Sequence, residues 1–192
     1  SSLFPGGSQP LAGLFIRERL FRVADASRLV VVAPQPWFPL QSLIRRFRPG
    51  YRPEMPRQEV QAGVTVLFPR FLSLPGLGRR WDALSMALCT RRLLERLRRE
   101  RGVGLIDAHF AYPCGRAATL LGGWLDLPVT ITLRGTEARH LATPALRPQV
   151  LQALRQAARV FSVSDSLRRL VSDAGADAAK IHVVGNGVDL TR

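Results

Sequence analysis

The segment spanning residues 104–137 is the part of the sequence that most constrains the fold. It opens with a short apolar run ending at His109, passes through a stretch rich in Ala, Gly and Leu, and reaches a β-branched run at 128–133. This order predicts a strand, a helix and a second strand. Two parallel strands require a crossover connection such as a helix, so the segment predicts a parallel sheet.

The same alternation continues on both sides of this segment, and it sets the expected fold class. We predict an α/β fold: a single Rossmann-like, doubly wound, mainly parallel sheet with helices on both faces. At 192 residues the length favours one domain over 1–192. The predicted strands are residues 28–34, 64–71, 105–109, 128–133, 160–163 and 180–184.

Helical periodicity predicts helices at 13–24, 81–101, 144–159 and 167–174. The third is expected to become regular near Pro148, and the last to be capped by Ser164-Asp165-Ser166. Helix 81–101 is strongly basic outside its apolar stripe, so both a solvated surface helix and a membrane-apposed helix are open. Residues 41–61 are basic and interrupted by prolines. We interpret them as a long surface loop, with contact to RNA or lipid headgroups as the alternative. The expected buried stripe of helix 81–101 is Ala83, Met86, Ala87, Thr90, Leu94 and Leu97.

The chain carries a formal net charge of +14, and all but one of its 28 basic residues are arginine, Lys180 being the exception. Such a surface attracts phosphates, acidic polymers or an anionic membrane. No run of apolar residues is long enough to predict a transmembrane helix. Cys89 and Cys114 have no metal-ligand spacing and are predicted to be buried free thiols.

Strand ends in a parallel sheet are where ligands bind, so polar groups there are site candidates. His109 follows one predicted strand and Arg134–Glu137 another. A Gly-Gly pair at Gly6 and Gly7 precedes the first predicted helix, where backbone N–H groups suit an anion. It is not part of a GxGxxG pattern, which argues against a dinucleotide oxidoreductase.

Five motifs occur in a recognisable order: FPGGSQPLAGLFIRERL, IDAHFAYPCGRAA, VTITLRGTE, RVFSVSDSL and KIHVVGNGVD. Together they resemble the N-terminal domain of GT-B glycosyltransferases of family 4, in particular bacterial enzymes that build exopolysaccharide or teichuronic-type chains. The resemblance covers essentially the whole sequence. It implies two Rossmann-like domains facing a cleft, of which this chain is the acceptor-side one. The C-terminal nucleotide-sugar domain is expected to be missing, and the chain to be truncated at both ends.

The resemblance also implies a function and its site. The expected activity is transfer of a hexosyl group, with retention of configuration, from a nucleotide sugar to a lipid-linked or polysaccharide acceptor in cell-surface polysaccharide synthesis. No cofactor or metal is expected, the donor being a substrate. The expected location is cytoplasmic and peripheral on the inner membrane face. The residues that match the family's substrate-binding positions are Gly6, Gly7, Arg134, Gly135, Thr136, Ser164, Ser166, Asn186 and Gly187.

Two residues are the candidate catalytic groups. His109 matches the histidine near the transferred sugar, where an imidazole orients a hydroxyl or relays a proton; a capped structural histidine is the alternative. Glu137 is predicted as an acceptor-side hydrogen-bonding group or base, with a surface salt bridge as the alternative. Many relatives have His-Gly-x-Asp where this chain has Arg134–Glu137. His140 and His182 are interpreted as incidental.

A non-catalytic basic module that binds nucleic acid or an acidic polymer is the alternative function, and nucleic acid is the less favoured partner.

Overall fold

The computed structural model describes residues 1–22, 29–76 and 78–187, and the chain divides into two compact units, Ser1–Arg101 and Gly102–Arg192. The expected single domain over 1–192 stays a prediction. In the first unit the strands form two hydrogen-bonded sets, β1-β4-β3 and β2-β5. Its elements are α1 (Leu14–Phe21), β1 (Val30–Val32), β2 (Gln35–Trp37), α2 (Gln41–Phe47), β3 (Gln58–Gln61), β4 (Val64–Leu67), β5 (Arg70–Leu72) and α3 (Asp82–Arg101).

Two prolines interrupt the strand pairing in this unit: Pro34 ends the predicted strand 28–34, and Pro69 divides the predicted strand 64–71. β1 pairs parallel with β4 and β2 pairs parallel with β5, in the same register, so that Pro34 and Pro69 fall opposite each other at the break. The ladder continues across it through hydrogen bonds from Ala33 N to Leu67 O and from Gln35 N to Pro69 O, both 2.8 Å. Proline has no N–H to donate, so the regular pairing is interrupted where both strands carry one. Predicted strand 64–71 is therefore two strands, β4 and β5.

The prediction of an irregular loop at 41–61 is wrong in part, because the segment contains α2 and β3. β3 pairs antiparallel with β4 across a two-residue turn formed by Ala62 (φ 47°) and Gly63 (φ 80°). Positive φ at both central residues is the geometry of the tight hairpin turns that match strand twist. The usual sequence signal for such a turn is Asn-Gly or Asp-Gly. Here the turn is Ala-Gly, which is why the sequence did not predict the hairpin.

Gly13 precedes α1 in a conformation that glycine alone adopts readily. Its φ is +69°, and an added Cβ would lie 2.6 Å from the carbonyl oxygen of Leu3. Gly63 has a similar φ of +80° with nothing within 4 Å of an added Cβ. We expect Gly13→Ala to lower the free energy of unfolding by about 2–4 kcal/mol and Gly63→Ala by about 1–2 kcal/mol, measured by urea denaturation. Equal losses of unfolding free energy in the two variants would show that the structure adjusts to the added Cβ near Leu3 without loss of stability.

Helix α3 confirms the predicted pattern, since all six residues of the expected stripe are buried. It packs against β5. Cys89, however, lies on the exposed side of the helix, while Cys114 is buried. The expectation of two buried thiols is therefore wrong for Cys89, which follows from its place outside the apolar stripe.

The second unit is built around one parallel sheet with strand order β6-β7-β8-β9. Helices connect each strand to the next, and α6 packs against α4. Parallel pairing predominates in both units, with β3 the antiparallel exception among the described strands, so the expected α/β class is confirmed. The elements are β6 (Ile106–His109), α4 (Arg116–Leu125), β7 (Val129–Leu133), α5 (Glu137–Leu141), α6 (Arg147–Gln156), β8 (Arg159–Ser162), α7 (Asp165–Asp173) and β9 (Ile181–Val183).

Across 1–22, 29–76 and 78–187, none of the helices has both the length and the apolar character of a membrane span.

Candidate functional site

His109 ends strand β6 at the carboxyl edge of the second unit's sheet, and it is only 2% exposed. Arg134, which follows β7, brings its Nε and Nη2 to within 3.4 and 3.3 Å of His109 Nδ1. Arginine has donors and no acceptor, so Nδ1 must be the unprotonated nitrogen in this contact. The neutral ring then carries its hydrogen on Nε2, which lies 3.4 Å from Asp107 Oδ2. The imidazole therefore lies between the Arg134 guanidinium and the Asp107 carboxylate.

Arg134 also connects the ends of two strands. Its Nη1 donates to Asn186 Oδ1 at 2.7 Å, and Asn186 lies in the segment that follows β9. Three of the predicted site residues, His109, Arg134 and Asn186, therefore form one hydrogen-bonded cluster. Asn186 and Gly187 are exposed, whereas the imidazole is buried. The cluster thus leads from the interior of the sheet edge to the surface of this unit.

Glu137 is completely buried, and backbone N–H groups occupy both of its carboxylate oxygens. Oε1 accepts from Ala111 N at 2.9 Å, while Oε2 accepts from Arg134 N at 3.2 Å and from Gly135 N at 2.8 Å. A buried charge is tolerated when it is fully hydrogen-bonded in this way. Glu137 therefore joins the turn after β6 to the turn after β7, the two turns that flank His109.

The residue after His109 has a strained backbone. Phe110 is buried and has φ +70°, a conformation that costs a bulky residue about 1–3 kcal/mol. Its N–H donates to Thr132 O and its carbonyl accepts from Gly115 N, both at 2.9 Å. Together with the Glu137 contact to Ala111, these bonds hold the strained turn in place. The strained backbone at Phe110 therefore lets the chain turn out of β6 at the residue immediately after His109.

The turn between β7 and α5 offers few open donors to a ligand. The N–H groups of Arg134 and Gly135 are both engaged by Glu137. Thr136 differs, because its Oγ1 is buried and has no hydrogen-bond partner within residues 1–22, 29–76 and 78–187. Among the predicted residues of this turn, the Arg134 guanidinium and the Thr136 hydroxyl remain the groups suited to binding.

Of the three residues predicted to cap helix α7, Ser164 is the N-cap, its Oγ accepting from Leu167 N at 3.2 Å, and the helix already begins at Asp165. The same hydroxyl lies 3.0 Å from Ser166 Oγ. Asp165, between them, accepts a hydrogen bond from Arg168, and this bond with the charges of Arg168 and Arg169 lowers the pKa of the carboxyl below its usual value. The two serines therefore sit beside an ionised carboxylate at the end of β8.

Gly6 and Gly7 belong to the first unit, and their N–H groups are already used there. Gly6 N donates to Gln9 O at 3.3 Å, and Gly7 N donates to Glu59 Oε1 at 2.8 Å. An added Cβ on Gly6 would lie 2.1 Å from Met55 Cε, so the absence of a side chain permits close packing. In this conformation the glycine pair does not present these two N–H groups to an anion.

Sequence reasoning did not identify Asp107 as part of the His109 cluster. Asp107 precedes His109 by two residues, and alternate residues of a strand face the same side, which is the signal that was available. Its Oδ1 accepts from Thr130 Oγ1 at 2.6 Å, which fixes the carboxylate.

His140, interpreted as incidental, is buried and packs edge-on against Tyr112 with ring centroids 5.7 Å apart.

Comparison with known proteins identifies the family. The sequence profile of glycosyltransferase family 4 matches residues 43–192, well over half of the chain. The chain belongs to glycosyltransferase family 4. The similarity extends to TuaC of Bacillus subtilis (strain 168), which is named as a teichuronic acid biosynthesis glycosyltransferase. TuaC is 24% identical over 199 residues, an alignment covering 100% of this chain and 49% of TuaC.

Solved structures support the fold of this family 4 chain. HepE of Anabaena in complex with UDP and glucose superposes with a TM-score of 0.56 at 17% identity, covering 98% of this chain and 43% of HepE. HepE in complex with UDP-glucose gives 0.55 at 18% identity, covering 98% and 42%. At such identity the likeness concerns the fold alone, and it confirms the expected half of a GT-B architecture. The chain spans about half the length of these relatives.

Proposed function

We propose that this chain is the acceptor-binding half of a glycosyltransferase that moves a hexosyl group from a nucleotide sugar to a lipid-linked or polysaccharide acceptor in cell-surface polysaccharide synthesis. The observation that carries the proposal is the fixed cluster of His109, Arg134 and Asn186 at the carboxyl edge of a parallel sheet. Ligands of open α/β sheets bind at such an edge. Family membership supports the reaction class.

The cluster supplies the chemistry that glycosyl transfer needs. The bond from the anomeric carbon to the diphosphate oxygen breaks, a bond to an acceptor oxygen forms, and the acceptor hydroxyl loses its proton. Negative charge grows on the leaving diphosphate, and a preorganised guanidinium such as that of Arg134 stabilises such developing charge. His109 is the proposed catalytic group that orients a hydroxyl, or relays its proton once the contact with Arg134 opens and frees Nδ1 to accept it. The proposal involves no resident metal or cofactor.

The nucleotide-sugar donor is proposed from the relatives. HepE was solved with UDP, with glucose and with UDP-glucose, and TuaC is named for a polysaccharide. We propose that Thr136, Ser164, Ser166 and Gly187 line the same substrate site, and that Gly135 and Glu137 shape it. Gly6 and Gly7 would approach the diphosphate only after the bonds to Gln9 and Glu59 rearrange.

Contact with an anionic membrane is the proposed setting, at the cytoplasmic face. Helix α2 turns apolar side chains outward: Leu40, Leu43 and Phe47, spaced as neighbours on one helical face, are 65%, 56% and 79% exposed. Exposed Arg46 and Arg48 lie beside them, and the chain as a whole carries +14. Apolar side chains bordered by arginine are the pattern of helices that lie in a membrane interface.

Arg134→Lys in the complete natural protein tests the proposed reaction. Lysine keeps the charge and loses the rigid fork that reaches both His109 and Asn186. We expect transfer from UDP-glucose to lipid-linked acceptors to fall by roughly 10²-fold or more, since removing one preorganised donor has an effect of this size. Arg96→Lys, an exposed exchange on α3, should leave the rate unchanged.

The same assay decides the wider proposal. Acceptors presented in vesicles containing phosphatidylglycerol should be used faster than those in purely phosphatidylcholine vesicles, because the protein is basic.

Absence of sugar transfer from any of a panel of nucleotide sugars would overturn the glycosyltransferase proposal. Nucleic-acid binding with a steep salt dependence would then favour the basic binding module.

A further inference from the structure

The first unit contains a cavity of about 170 Å³ that is separate from the cluster around His109. It is bordered by β2, the first turns of α2, the chain before Met55, and Arg70 of β5. A water molecule occupies about 30 Å³ of liquid, so the space corresponds to roughly five or six waters. This volume is enough for one small polar ring, and the chemistry of the lining residues indicates which class of ligand the cavity suits.

One wall of the cavity is apolar and aromatic. The indole of Trp37 and the buried side chains of Met55 and Phe68 contribute to it. An indole ring provides a flat apolar face with a polar edge, which suits a ligand that has both C–H and O–H groups.

Other residues of the lining present oxygen acceptors. Gln41 is 4% exposed and donates from Nε2 to Arg52 O at 3.3 Å, but its Oε1 has no partner within the described residues. A buried acceptor without a hydrogen-bond donor is energetically unfavourable, and a donor on a ligand inside the cavity would remove that cost.

Glu54 supplies a second acceptor at the mouth of the cavity. Arg45 Nη1 lies 2.9 Å and Arg70 Nη2 3.4 Å from the same oxygen, Oε1. The hydrogen bond from Arg45 and the charges of Arg45 and Arg70 lower the pKa of the Glu54 carboxyl below its usual value, so Glu54 is ionised at neutral pH. Both of these contacts are made to Oε1, and no contact between the second carboxylate oxygen, Oε2, and the described residues is observed.

Arg70 completes the set. Its side chain is 53% exposed and makes one long contact, to Glu54, so most of its donors are open to a ligand. Arg45 is different, because Nε and Nη2 both donate to Arg52 O, at 3.1 and 2.8 Å. Arg45 thus holds the wall in place, while Arg70 is the cation available for binding.

We propose that this cavity binds a neutral sugar unit, with Trp37 stacked on the ring, Gln41 Oε1 and Glu54 Oε2 accepting from hydroxyls, and Arg70 donating to a ring or hydroxyl oxygen. A hydroxyl both donates and accepts, so it satisfies acceptors and cation together. A carboxylate has no donor for Gln41, and both a carboxylate and a phosphate are repelled by ionised Glu54. The identification of this sugar as a unit of the acceptor glycan rests on the proposed function; the binding itself does not.

Indole resonances of the 192-residue chain test the site. The sequence has three tryptophans, so Trp37→Phe assigns the Trp37 signal directly. We expect methyl glucoside or N-acetylglucosamine to shift the Trp37 signal with a Kd of about 1–10 mM, and inorganic phosphate to leave it unchanged. Glu54→Gln should raise this Kd at least fivefold, since it removes the charged acceptor at Oε2. Glu54 is 63% exposed, so we expect the exchange to leave the fold intact. Trp81→Phe, at an exposed tryptophan of the same unit, should not change the Kd.

The outcomes separate this site from the proposed reaction. No shift at Trp37 with these sugars up to about 50 mM, or a shift with phosphate in preference, overturns the sugar site and leaves sugar transfer standing. Sugar binding at Trp37 in a protein that transfers sugar from no nucleotide donor keeps the site and overturns the proposed reaction. Equal affinity in Glu54→Gln and the parent chain also counts against the assigned contacts.

Discussion

Glu137→Ala is expected to lower the free energy of unfolding of the second unit by roughly 3–5 kcal/mol, the largest stability loss foreseen for a single side chain. The substitution leaves the N–H groups of Ala111, Arg134 and Gly135 without their acceptor. It also removes the bond that holds the strained turn at Phe110. Urea denaturation followed by circular dichroism measures the change. Glu100→Ala, at an exposed carboxylate of α3, should change stability by about 0.5 kcal/mol or less.

Glu137→Gln separates a positioning role from that of a base. The amide keeps one acceptor oxygen and turns an NH₂ group toward backbone donors, so we expect a smaller loss of about 1–3 kcal/mol. If Glu137 acts by holding the two turns, this variant should retain measurable transfer with a raised KM for the donor. A fall in kcat of about 10²-fold or more with little change in stability would instead identify Glu137 as a general base.

His109→Phe in the complete natural protein is expected to reduce kcat by roughly 10²- to 10⁴-fold, the range lost with a general acid or base. Phenylalanine fills the buried space and removes both ring nitrogens, so that packing is retained while the contacts to Arg134 and Asp107 are lost. The predicted signature is a fall in kcat that greatly exceeds any rise in KM for the nucleotide sugar, measured under saturating acceptor.

His140→Phe is the matched control for this experiment. His140 is also a buried histidine of the second unit, and it packs against Tyr112. It should tolerate the exchange with kcat changed by less than a few fold, because an aromatic ring preserves that contact. Near-parental kcat in His109→Phe would show that the imidazole is a structural group and would remove it from the proposed mechanism.

Local signals predicted most of the regular structure. The β-branched run before Leu133 is β7, the six-residue stripe of α3 is buried as expected, and Ser164 caps α7. In each case the side-chain period or the capping residue acts within a few positions of itself. Where such a signal was missing the prediction failed: α2 is short and the turn at Gly63 lacks the usual Asn or Asp.

The roles of individual site residues depended on distant partners. That His109, Arg134 and Glu137 end or follow strands could be inferred from the sequence, because carboxyl edges of parallel strands meet at one side of a sheet. The hydrogen-bond acceptors and donors that these side chains use could not be inferred from the sequence. Arg134 bonds Asn186 across 52 positions and Glu137 bonds Ala111 across 26.

Strand order and pairing register decide such contacts, and these depend on packing of the whole unit. The sequence by itself therefore determined the family, the α/β class and the strand ends that carry the candidate residues. The tertiary structure decided that Glu137 is fully bonded to backbone, and that the N–H of Gly7 is engaged by Glu59. It also decided that Gln41 keeps an unpartnered oxygen beside a cavity, because burial and hydrogen bonding arise only when distant segments meet.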